Sequence, residues 1–393
     1  MSKIDDLIQQ YCPDGVEYRP IWSLTAWDKK FNGIDKSKQK KVIKYNYLLA
    51  ADLKSYQVEN GTVKLLTTNI SNLYTTEELA EDLASDGEVV AIPWGGNPIV
   101  QYYKGRFLTA DNRIATSLDT TLLNNKFLYY CMLSQMKLIA SFYRGSGIKH
   151  PEMAKVLDLE IPVPPLPVQE EIVRILDNFT NLAAELQAEL QARQQQYNYY
   201  RDALLNVECR IKNVEWLPIP KFAELKAGKA IKSEELGEKK DDEHRYPCFG
   251  GNGIRGYIGR MSHSGDYAII GRQGALCGCV NWASGDFYAT EHAVVCKPLG
   301  KVISRYVYYL FATANLNQYK SQGAQPGLSV QRLNELTFPI PSLAEQQRIV
   351  SILDRFDALT NDLTQGLPAE IEARQQQYEY YRERLLTFPK CRM

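Results

Sequence analysis

Several features that would point to a membrane protein or a secreted scaffold are missing from this sequence. It has no run of 18 or more apolar residues, so no transmembrane helix is predicted. Its eight cysteines are scattered over 393 residues, which predicts reduced thiols and not a disulfide framework. The first residues lack the apolar stretch of a signal peptide. We therefore expect a cytoplasmic protein without a membrane partner.

Motifs for catalysis, cofactors and metals are also scarce. The chain has no P-loop, and its one G-x-G-x-x-G match at Gly251–Gly256 follows no buried strand, so a turn is predicted there. Asn97-Pro98 lacks the second proline and the aromatic residue of an amino-methyltransferase motif. Cys277-Gly-Cys279 has an unusual one-residue gap for a zinc finger. We predict no catalytic residue, no cofactor and no metal in this chain.

The chain also has no excess charge, since 46 Lys and Arg balance 46 Asp and Glu. That balance alone argues against a nucleic-acid partner, but the charges are unevenly distributed. Seven lysines stand against two acids between Asp28 and Lys44, and the segment Arg245–Arg332 is also basic. A solvated surface explains any one basic cluster. Whether the clusters indicate a nucleic-acid partner therefore depends on the architecture.

A segment that occurs twice indicates this architecture. Residues 192–205, ARQQQYNYYRDALL, return at 373–386 as ARQQQYEYYRERLL. Each copy follows a proline-rich run and an Ile-Val-x-Ile-Leu-Asp-x-Phe segment. Because the period is far too long for a solenoid, the repeat predicts two full-size globular units, each ending in the same long helix.

The repeated helices carry a heptad pattern. Apolar and aromatic residues advance by alternating steps of four and three, which predicts the seam of an intramolecular coiled coil; an ordinary core helix is the alternative. Near Gly366 and Pro368 the pattern shifts, which predicts a kink or a short break. The seam and partner-binding positions are Ile172, Leu176, Phe179, Leu186, Leu190, Arg193, Tyr197, Tyr200, Leu204, Ile349, Leu353, Phe356, Leu363, Arg374, Tyr378, Tyr381 and Leu385.

Both globular units mix strand and helix patterns. Short β-type runs such as Glu88–Ile92 and Asp266–Ile270 are separated by glycines, and helical segments follow at Phe127–Tyr130 and Tyr306–Tyr309. The predicted class is α+β: two mixed α/β domains joined by two long helices in an antiparallel, pseudo-twofold coiled coil.

The paired Pro-x-Pro runs, the Ile-Val-x-Ile-Leu-Asp-x-Phe segments and the Ala-Arg-Gln-Gln-Gln-Tyr-x-Tyr-Tyr-Arg ends resemble the specificity subunits of type I restriction–modification enzymes. The resemblance covers essentially the whole chain and is specific in the helices but loose in the globular units. It implies target recognition domains at residues 1–160 and 208–337, with spacer helices at 161–207 and 338–393.

The family implies a non-catalytic subunit. Each recognition domain would read one half of a split site in double-stranded DNA, and the helices would set the gap and dock two methyltransferase subunits. Restriction/translocase subunits would join that core, with S-adenosylmethionine, ATP and Mg²⁺ expected on the partners. A helix from Val168 to Leu205 would span about 57 Å at ~1.5 Å per residue. At ~3.4 Å per base pair, the half-sites would lie at most roughly 17 base pairs apart.

Candidate DNA contacts are basic, amide and tyrosine side chains of the globular units. Arg reads guanine and Asn or Gln reads adenine in the major groove, whereas Lys more often contacts phosphate. A solvated surface is the alternative for each residue. The candidates are Lys36, Lys38, Lys40, Lys41, Arg106, Tyr143, Arg144 and Lys149 in the first domain, and Arg255, Tyr257, Arg260, Arg272, Gln273 and His292 in the second.

Other functions remain open. An enzyme with a concealed methyltransferase or nuclease centre would transfer a methyl group to DNA without any partner. A coiled-coil adaptor that binds only protein would leave the assembled complex unable to retain DNA at low salt. A specificity subunit of a methyltransferase-only or double-cleaving, type IIB-like system has the same sequence features as a type I subunit.

Overall fold

The computed structural model describes residues 3–206, 214–274, 276–321, 326–362 and 364–391. Internal contacts divide the chain into a first unit, Met1–Glu185 with Glu372–Met393, and a second unit, Leu186–Ile371. The C-terminal end of the second repeated helix therefore belongs to the same unit as the first globular domain. The domain boundaries expected from the sequence remain predictions.

The first unit is built on a mixed sheet and several short helices. Its helices are α1 (Lys3–Tyr11), α2 (Ile21–Leu24), α3 (Ala50–Ser55), α4 (Glu77–Ala80), α5 (Asn125–Ser134), α6 (Met136–Ser141) and α7 (Met153–Leu157). Its strands are β1 (Tyr18–Pro20), β2 (Thr25–Trp27), β3 (Val63–Leu66), β4 (Tyr74–Thr75), β5 (Ser85–Pro93), β6 (Gln101–Thr109), β7 (Asn112–Ser117), β8 (Tyr143–Arg144), β9 (His150–Pro151) and β10 (Glu160–Pro162).

Strands of the first unit pair mainly in antiparallel fashion. A six-stranded sheet has the order β2-β7-β5-β6-β3-β4, with β3 and β6 parallel. Strand β5 is central and buries both faces: Val90 and Ile92 pack with Phe127 of α5, whereas Val89 and Ala91 pack on the opposite side. The small pairs β1-β10 and β8-β9 lie outside this sheet. The predicted strand at Glu88–Ile92 is confirmed.

The long helix α8 (Leu166–Leu205) has 40 residues, about 60 Å at ~1.5 Å per residue. It begins directly after the proline-rich run, where Pro167 is tolerated because the first helical N–H groups have no partner within the helix. Its residues up to Glu185 belong to the first unit and the rest to the second. The predicted long first helix is confirmed.

The second unit has two smaller sheets in place of one large sheet. Its strands are β11 (Glu215–Pro218), β12 (Ala223–Ala227), β13 (Tyr246–Gly250), β14 (Gly253–Ile258), β15 (His263–Ser264), β16 (Tyr267–Gly271), β17 (Val280–Ala283), β18 (Asp286–Ala289), β19 (Ala293–Pro298) and β20 (Thr337–Ile340). The sheet orders are β12-β19-β16-β17, β14-β13-β18-β15 and the pair β11-β20.

The sheet β12-β19-β16-β17 lies between two apolar clusters. Alternate residues of β16 face opposite sides, as the period of a strand requires. Ile269 packs with Phe249 and Phe287 of the other sheet, whereas Ile270 packs with Tyr309 of the following helix. The remaining helices are α9 (Ser304–Thr313), α10 (Val330–Asn334), α11 (Leu343–Asn361) and α12 (Leu367–Leu385).

The second repeated helix is interrupted, as predicted. Helix α11 ends at Asn361 and α12 begins at Leu367. The Asp362 carboxylate accepts hydrogen bonds from the Thr364 hydroxyl (2.6 Å) and backbone N–H (2.7 Å), and both bonds lower the pKa of this acid. A Cβ on Gly366 would lie 2.6 Å from the Ala358 carbonyl oxygen, so the turn requires glycine.

The predicted α+β class, with two mixed domains and long helical segments, is confirmed. Within the described ranges, no helix combines the length and apolar character needed to cross a bilayer.

Candidate nucleic-acid interface and helix-borne contacts

In the first unit, buried polar contacts fix the globular domain to the start of α8. Gln169 is fully buried, and its side chain accepts from the Asn124 backbone N–H (2.9 Å) and donates to the Leu122 and Pro164 carbonyls. The Tyr130 hydroxyl donates to Asp177 (2.6 Å), and Lys126 also contacts this carboxylate. Burial, followed by the hydrogen bond to Asp177, raises the pKa of Tyr130, so its hydroxyl remains a donor.

In the second unit, the same contacts recur on α11. Gln346 accepts from the Ile303 backbone N–H (2.9 Å) and donates to the Pro341 carbonyl. The Tyr309 hydroxyl donates to Asp354 at 2.6 Å. Arg305 takes the place of the lysine and contacts both Asp354 and Asp357 at 2.7 Å. The repeated segment therefore includes a repeated anchor between each domain and its helix.

Aromatic contacts join the repeated helices within each unit. In the first unit, Phe179 of α8 stacks on Tyr381 of α12 at 5.4 Å between ring centroids. In the second, Phe356 of α11 stacks on Tyr200 of α8 at 5.6 Å. Phe179 contacts Tyr381, whereas the later residue Tyr200 contacts the earlier residue Phe356. The repeated helices therefore pair in antiparallel order.

The seam positions are buried to different degrees. Tyr200 is 40% exposed, and Leu363 lies outside the described residues. Half-buried are Phe179, Arg193, Tyr197, Phe356, Arg374, Tyr378 and Tyr381. The Arg193 side chain donates to Gln196, and Arg374 repeats this contact with Gln377, both at 3.1 Å. Fully or nearly fully buried are Ile172, Leu176, Leu186, Leu190, Leu204, Ile349, Leu353 and Leu385.

Each repeated helix also presents an identical aromatic residue to solvent. Tyr199 is 68% exposed and Tyr380 is 59% exposed. Each packs edge-on against the next tyrosine, Tyr200 or Tyr381, at about 5.5 Å. Glutamines one turn earlier on both helices, among them Gln195 and Gln376, are exposed as well. The two copies therefore share exposed glutamines and an exposed tyrosine, which we call the Gln-Tyr face, although Asn198 in the first copy is replaced by Glu379 in the second.

Three loops meet at one end of the first unit's sheet. Strands β5 and β7 pair through Pro93 and Asn112, and beyond this pair the Trp94 backbone N–H donates to the Asp111 carbonyl (2.7 Å). The third loop joins them where the Gly96 N–H donates to the Lys149 carbonyl (3.0 Å). We call this region the loop edge.

A buried ion pair supports the loop edge of the first unit. Arg113 contacts Asp28 (3.3 Å), both side chains are almost fully buried, and the guanidinium lies 4.5 Å from the Trp94 ring. Burial raises the pKa of Asp28, although its hydrogen bond from the Ile114 N–H and the charge of Arg113 act in the opposite direction. Arg113 and Trp94 line a cavity of about 460 Å³ together with the exposed Lys29.

The second unit builds a loop edge in the same way. Gly271 pairs with Ala293, and the next residue, Arg272, donates its N–H to the His292 carbonyl (2.9 Å). The Gly274 N–H then donates to the Pro326 carbonyl (3.1 Å). Backbone hydrogen bonds therefore place Arg272 where the first unit has Trp94.

In the second unit, the turn between two strands of the other sheet also joins the edge. The turn between β13 and β14 brings Gly251 and Asn252 next to Gln273 and His292, around a cavity of about 480 Å³. A Cβ on Gly271 would lie 1.9 Å from the Gly251 carbonyl oxygen, so this close approach requires glycine at 271.

The structure brings some of the predicted DNA contacts together at the loop edges. In the second unit Arg272, Gln273 and His292 converge there. In the first unit only the exposed Lys149 lies directly at the edge, and Arg144, on the adjoining β8, contacts Glu152.

Other predicted residues lie elsewhere or are paired. Lys36, Lys40 and Lys41 are exposed, Lys38 contacts Asp158, Arg106 is bonded to Glu77, Arg255 and Tyr257 lie on β14, and Arg260 contacts Glu235 at 2.6 Å. Tyr143 needs a correction: it is 4% exposed and its hydroxyl donates to the Pro93 carbonyl (2.9 Å), so it supports the loop edge from inside.

Sequence reasoning missed Trp94, Arg113 and Asn252 at these edges. Trp94 lies two residues after a predicted strand, and Asn252 lies in a predicted turn, which are positions where sheets present side chains to ligands. Arg113 gave no such signal, because its neighbours Asp28 and Trp94 are distant in sequence. In the described part of the chain, no three His, Cys, Asp or Glu side chains are grouped as metal ligands.

Comparison with known proteins agrees with this arrangement. The family described as the type I restriction modification DNA specificity domain matches the chain twice, over residues 29–193 and 212–373. The EcoprrI type I restriction enzyme specificity subunit of Escherichia coli is 42% identical over 61% of this chain and 63% of its own length, so the chain spans less than two thirds of that relative. A second E. coli type I restriction enzyme specificity subunit is 32% identical over 71% of this chain and 74% of its length.

A solved structure is similar over nearly its whole length. The S subunit of a type I restriction-modification system from M. genitalium matches with a TM-score of 0.66, covering 95% of this chain and 96% of that one. Sequence identity is 17%, so this likeness concerns the fold.

Proposed function

Because this chain belongs to the type I restriction–modification DNA specificity family, we propose that it is the subunit that selects the DNA sequence in such a complex. Each globular domain contacts one half of a bipartite site in double-stranded DNA. The single observation that carries this proposal is the repeated anchor, since two unlike domains are fixed to equivalent helices through the same Gln and Tyr–Asp contacts.

In this proposal the partner subunits, and not this chain, methylate and cleave the DNA. Modification subunits would bring S-adenosylmethionine, and restriction/translocase subunits would bring ATP and Mg²⁺. The long helical segments would set the gap between the half-sites. A chain that lacks a P-loop and a methyltransferase motif is consistent with this division of roles.

We further propose that the Gln-Tyr face docks the modification subunits. Tyrosine is enriched among residues that dominate binding energy at protein interfaces. Tyr199 and Tyr380 expose most of their rings, and the residues around them are repeated, although the loop edges of the two units differ. Two similar surfaces would bind two copies of one partner, which gives two modification subunits per chain.

Exchange of one recognition domain tests the proposed function. Residues 208–337 are replaced by the corresponding segment of another specificity subunit, and the methylated sites of cells carrying the complete system are mapped. The expected result is a new sequence in one half of the site and the original sequence in the other. A change in both halves, or methylation without a bipartite site, would contradict the proposal.

The same system separates the alternative functions. A purified chain that methylates DNA without partners would identify an enzyme. An assembled complex that fails to retain DNA at low salt would identify a protein-binding adaptor, because phosphate contacts are strongest at low ionic strength.

A further inference from the structure

We infer that the second unit reads the bases of its half-site with Asn252, Gln273 and His292 at the loop edge. This inference rests on the proposed function, and it assigns base reading to particular residues. It concerns a surface made by loops that are distant in sequence: the β13–β14 turn, the segment after β16 and the segment before β19.

Unpaired buried polar atoms are concentrated at the two loop edges. Among the residues that the structure describes, six buried side-chain nitrogen or oxygen atoms have no hydrogen-bond partner. Four of them belong to the loop edges: Asn112 Oδ1 and Arg113 Nε in the first unit, and Arg272 Nε and His292 Nδ1 in the second. Buried polar groups are normally hydrogen-bonded, so such a concentration at two equivalent places points to a polar ligand.

The side chains around the second edge suit base edges better than phosphates. Asn252 and Gln273 are exposed amides, each of which can both donate and accept. That pattern matches adenine in the major groove, where N6 donates and N7 accepts. His292 lines the same cavity, and its Nε2 contacts Glu291 at 3.1 Å. The negative charge of Glu291 makes the surface around His292 less attractive to a phosphate, and this favours contact with a base.

The surface is already shaped in the folded chain. The Cys279 Sγ donates to the Gly251 carbonyl (3.2 Å), and the Gly271 N–H donates to the Cys279 carbonyl (2.9 Å). These bonds and the glycine contact at Gly271 hold the β13–β14 turn against the β16 loop. Preorganised donors and acceptors lose little entropy on binding, which is what sequence reading requires.

The first unit has the same edge with other side chains. Trp94 takes the place of Arg272, and Asp111 takes the place of His292, as the equivalent backbone hydrogen bonds show. The exposed Lys29 supplies positive charge there, whereas the buried Arg113 is paired with Asp28. Equivalent positions with different chemistry are expected if the two units read different sequences.

Alanine variants of the two amides test the inference. Full-length chain carrying Asn252→Ala, Gln273→Ala or both is assembled with its modification subunits, and methylation is measured on a library of half-site variants. We expect discrimination at one or two base pairs of one half-site to fall by roughly 5- to 150-fold, the range of a good bidentate base contact. The other half-site should be read as before.

Gln331→Ala is the matched control. Gln331 is an exposed amide on α10 of the same unit, and it does not line the cavity of the loop edge. This variant should keep the wild-type discrimination at every base pair.

The outcomes separate the inference from the proposed function. If the wild-type complex methylates a bipartite site and the double variant keeps its full discrimination at every position, the loop edge is not the reader and the inference is wrong. If the wild-type complex shows no bipartite specificity, the proposed function itself is wrong. Because both amides are exposed, their removal should leave the thermal unfolding of the complex unchanged.

Discussion

The two units share the way in which they hold their helices and differ in the sheets that they carry. Gln169 and Gln346 make equivalent contacts, as do Tyr130 and Tyr309. The first unit nevertheless has one six-stranded sheet, whereas the second has two four-stranded sheets. The parts that face the repeated helices are thus constrained, and the parts remote from them are free to vary.

This difference explains how the attachment of each domain to its helix can stay constant while the recognition surface varies. The glutamines and tyrosines of the anchor are buried and hydrogen-bonded, so a change there leaves unpaired groups. Side chains at the loop edges are partly exposed and lie on loops, which tolerate substitution. New recognition can therefore arise at the edge without disturbing the attachment of the domain.

The largest effect that distinguishes the two copies should come from the Gln-Tyr face. Tyr199→Ala and Tyr380→Ala should each weaken the binding of one modification subunit by about 2 kcal/mol or more, which is roughly a 30-fold loss of affinity, as expected for an interface tyrosine. Each single variant should bind one subunit at concentrations where the wild type binds two, and the double variant should bind neither. The measurement is the mass of the assembled complex by analytical ultracentrifugation.

Exposed Gln57→Ala in the first domain serves as the control for that experiment. Full occupancy by two subunits in the double variant would show that the Gln-Tyr face is not the docking surface.

Removal of the buried glutamines tests how much each anchor contributes to the stability of its own unit. Gln169→Leu and Gln346→Leu should each lower the free energy of unfolding of their own unit by about 1–3 kcal/mol, because backbone N–H and C=O groups lose their partners. The loss should be larger for Gln169, whose three hydrogen bonds are 2.9 Å or shorter, than for Gln346, whose bond to the Lys301 carbonyl is 3.4 Å.

Native-state hydrogen exchange in urea measures the two units separately. Glu170→Gln, at an exposed position beside Gln169, should have almost no effect. Equal losses in both units after either single change would mean that the two anchors do not act locally.

The smallest effect concerns an acid that only the first unit has. Hydrogen bonds from Arg174 and then from Lys3 lower the pKa of Glu171 to about 2, against the opposing effect of burial. The second copy has Arg348 at the corresponding position. Because the folded pKa lies below the ordinary value of 4.5, this group stabilises the first unit above about pH 4.5 and loses that contribution as the pH falls towards 2.

Acid titration of the wild type and Glu171→Gln checks this prediction. Between about pH 5 and pH 3 the wild-type first unit should lose more stability than the variant, by an amount on the order of 1 kcal/mol, because Lys3 and Arg174 are largely exposed and screened. Parallel acid curves for the two proteins would show that the ion pairs contribute nothing to stability.

The helical framework could be predicted because its signals are local. The seam of Ile172, Leu176 and Leu190 follows from a fixed spacing, and the break before Leu367 follows from Gly366 and Pro368. The strand at β5 follows from a run of apolar residues that includes Val89 and Val90. In each case the residues that create the structure are neighbours in the chain.

The candidate reading surface could not be predicted in this way. Gln273 and His292 were among the predicted contacts, but so were Arg106 and Tyr143, which are paired with Glu77 or buried. Composition identifies polar and basic residues without saying which of them meet. Their grouping depends on strand order and on hydrogen bonds between distant segments.

The alternation of two similar units with two long helical segments can thus be predicted from the chain alone, because repeats and heptad spacing are local patterns. The assignment of the end of the second helix to the first unit, and the grouping of Asn252, Gln273 and His292 at one edge, required the folded structure. Such contacts depend on how loops close over long separations, and no local pattern encodes that closure.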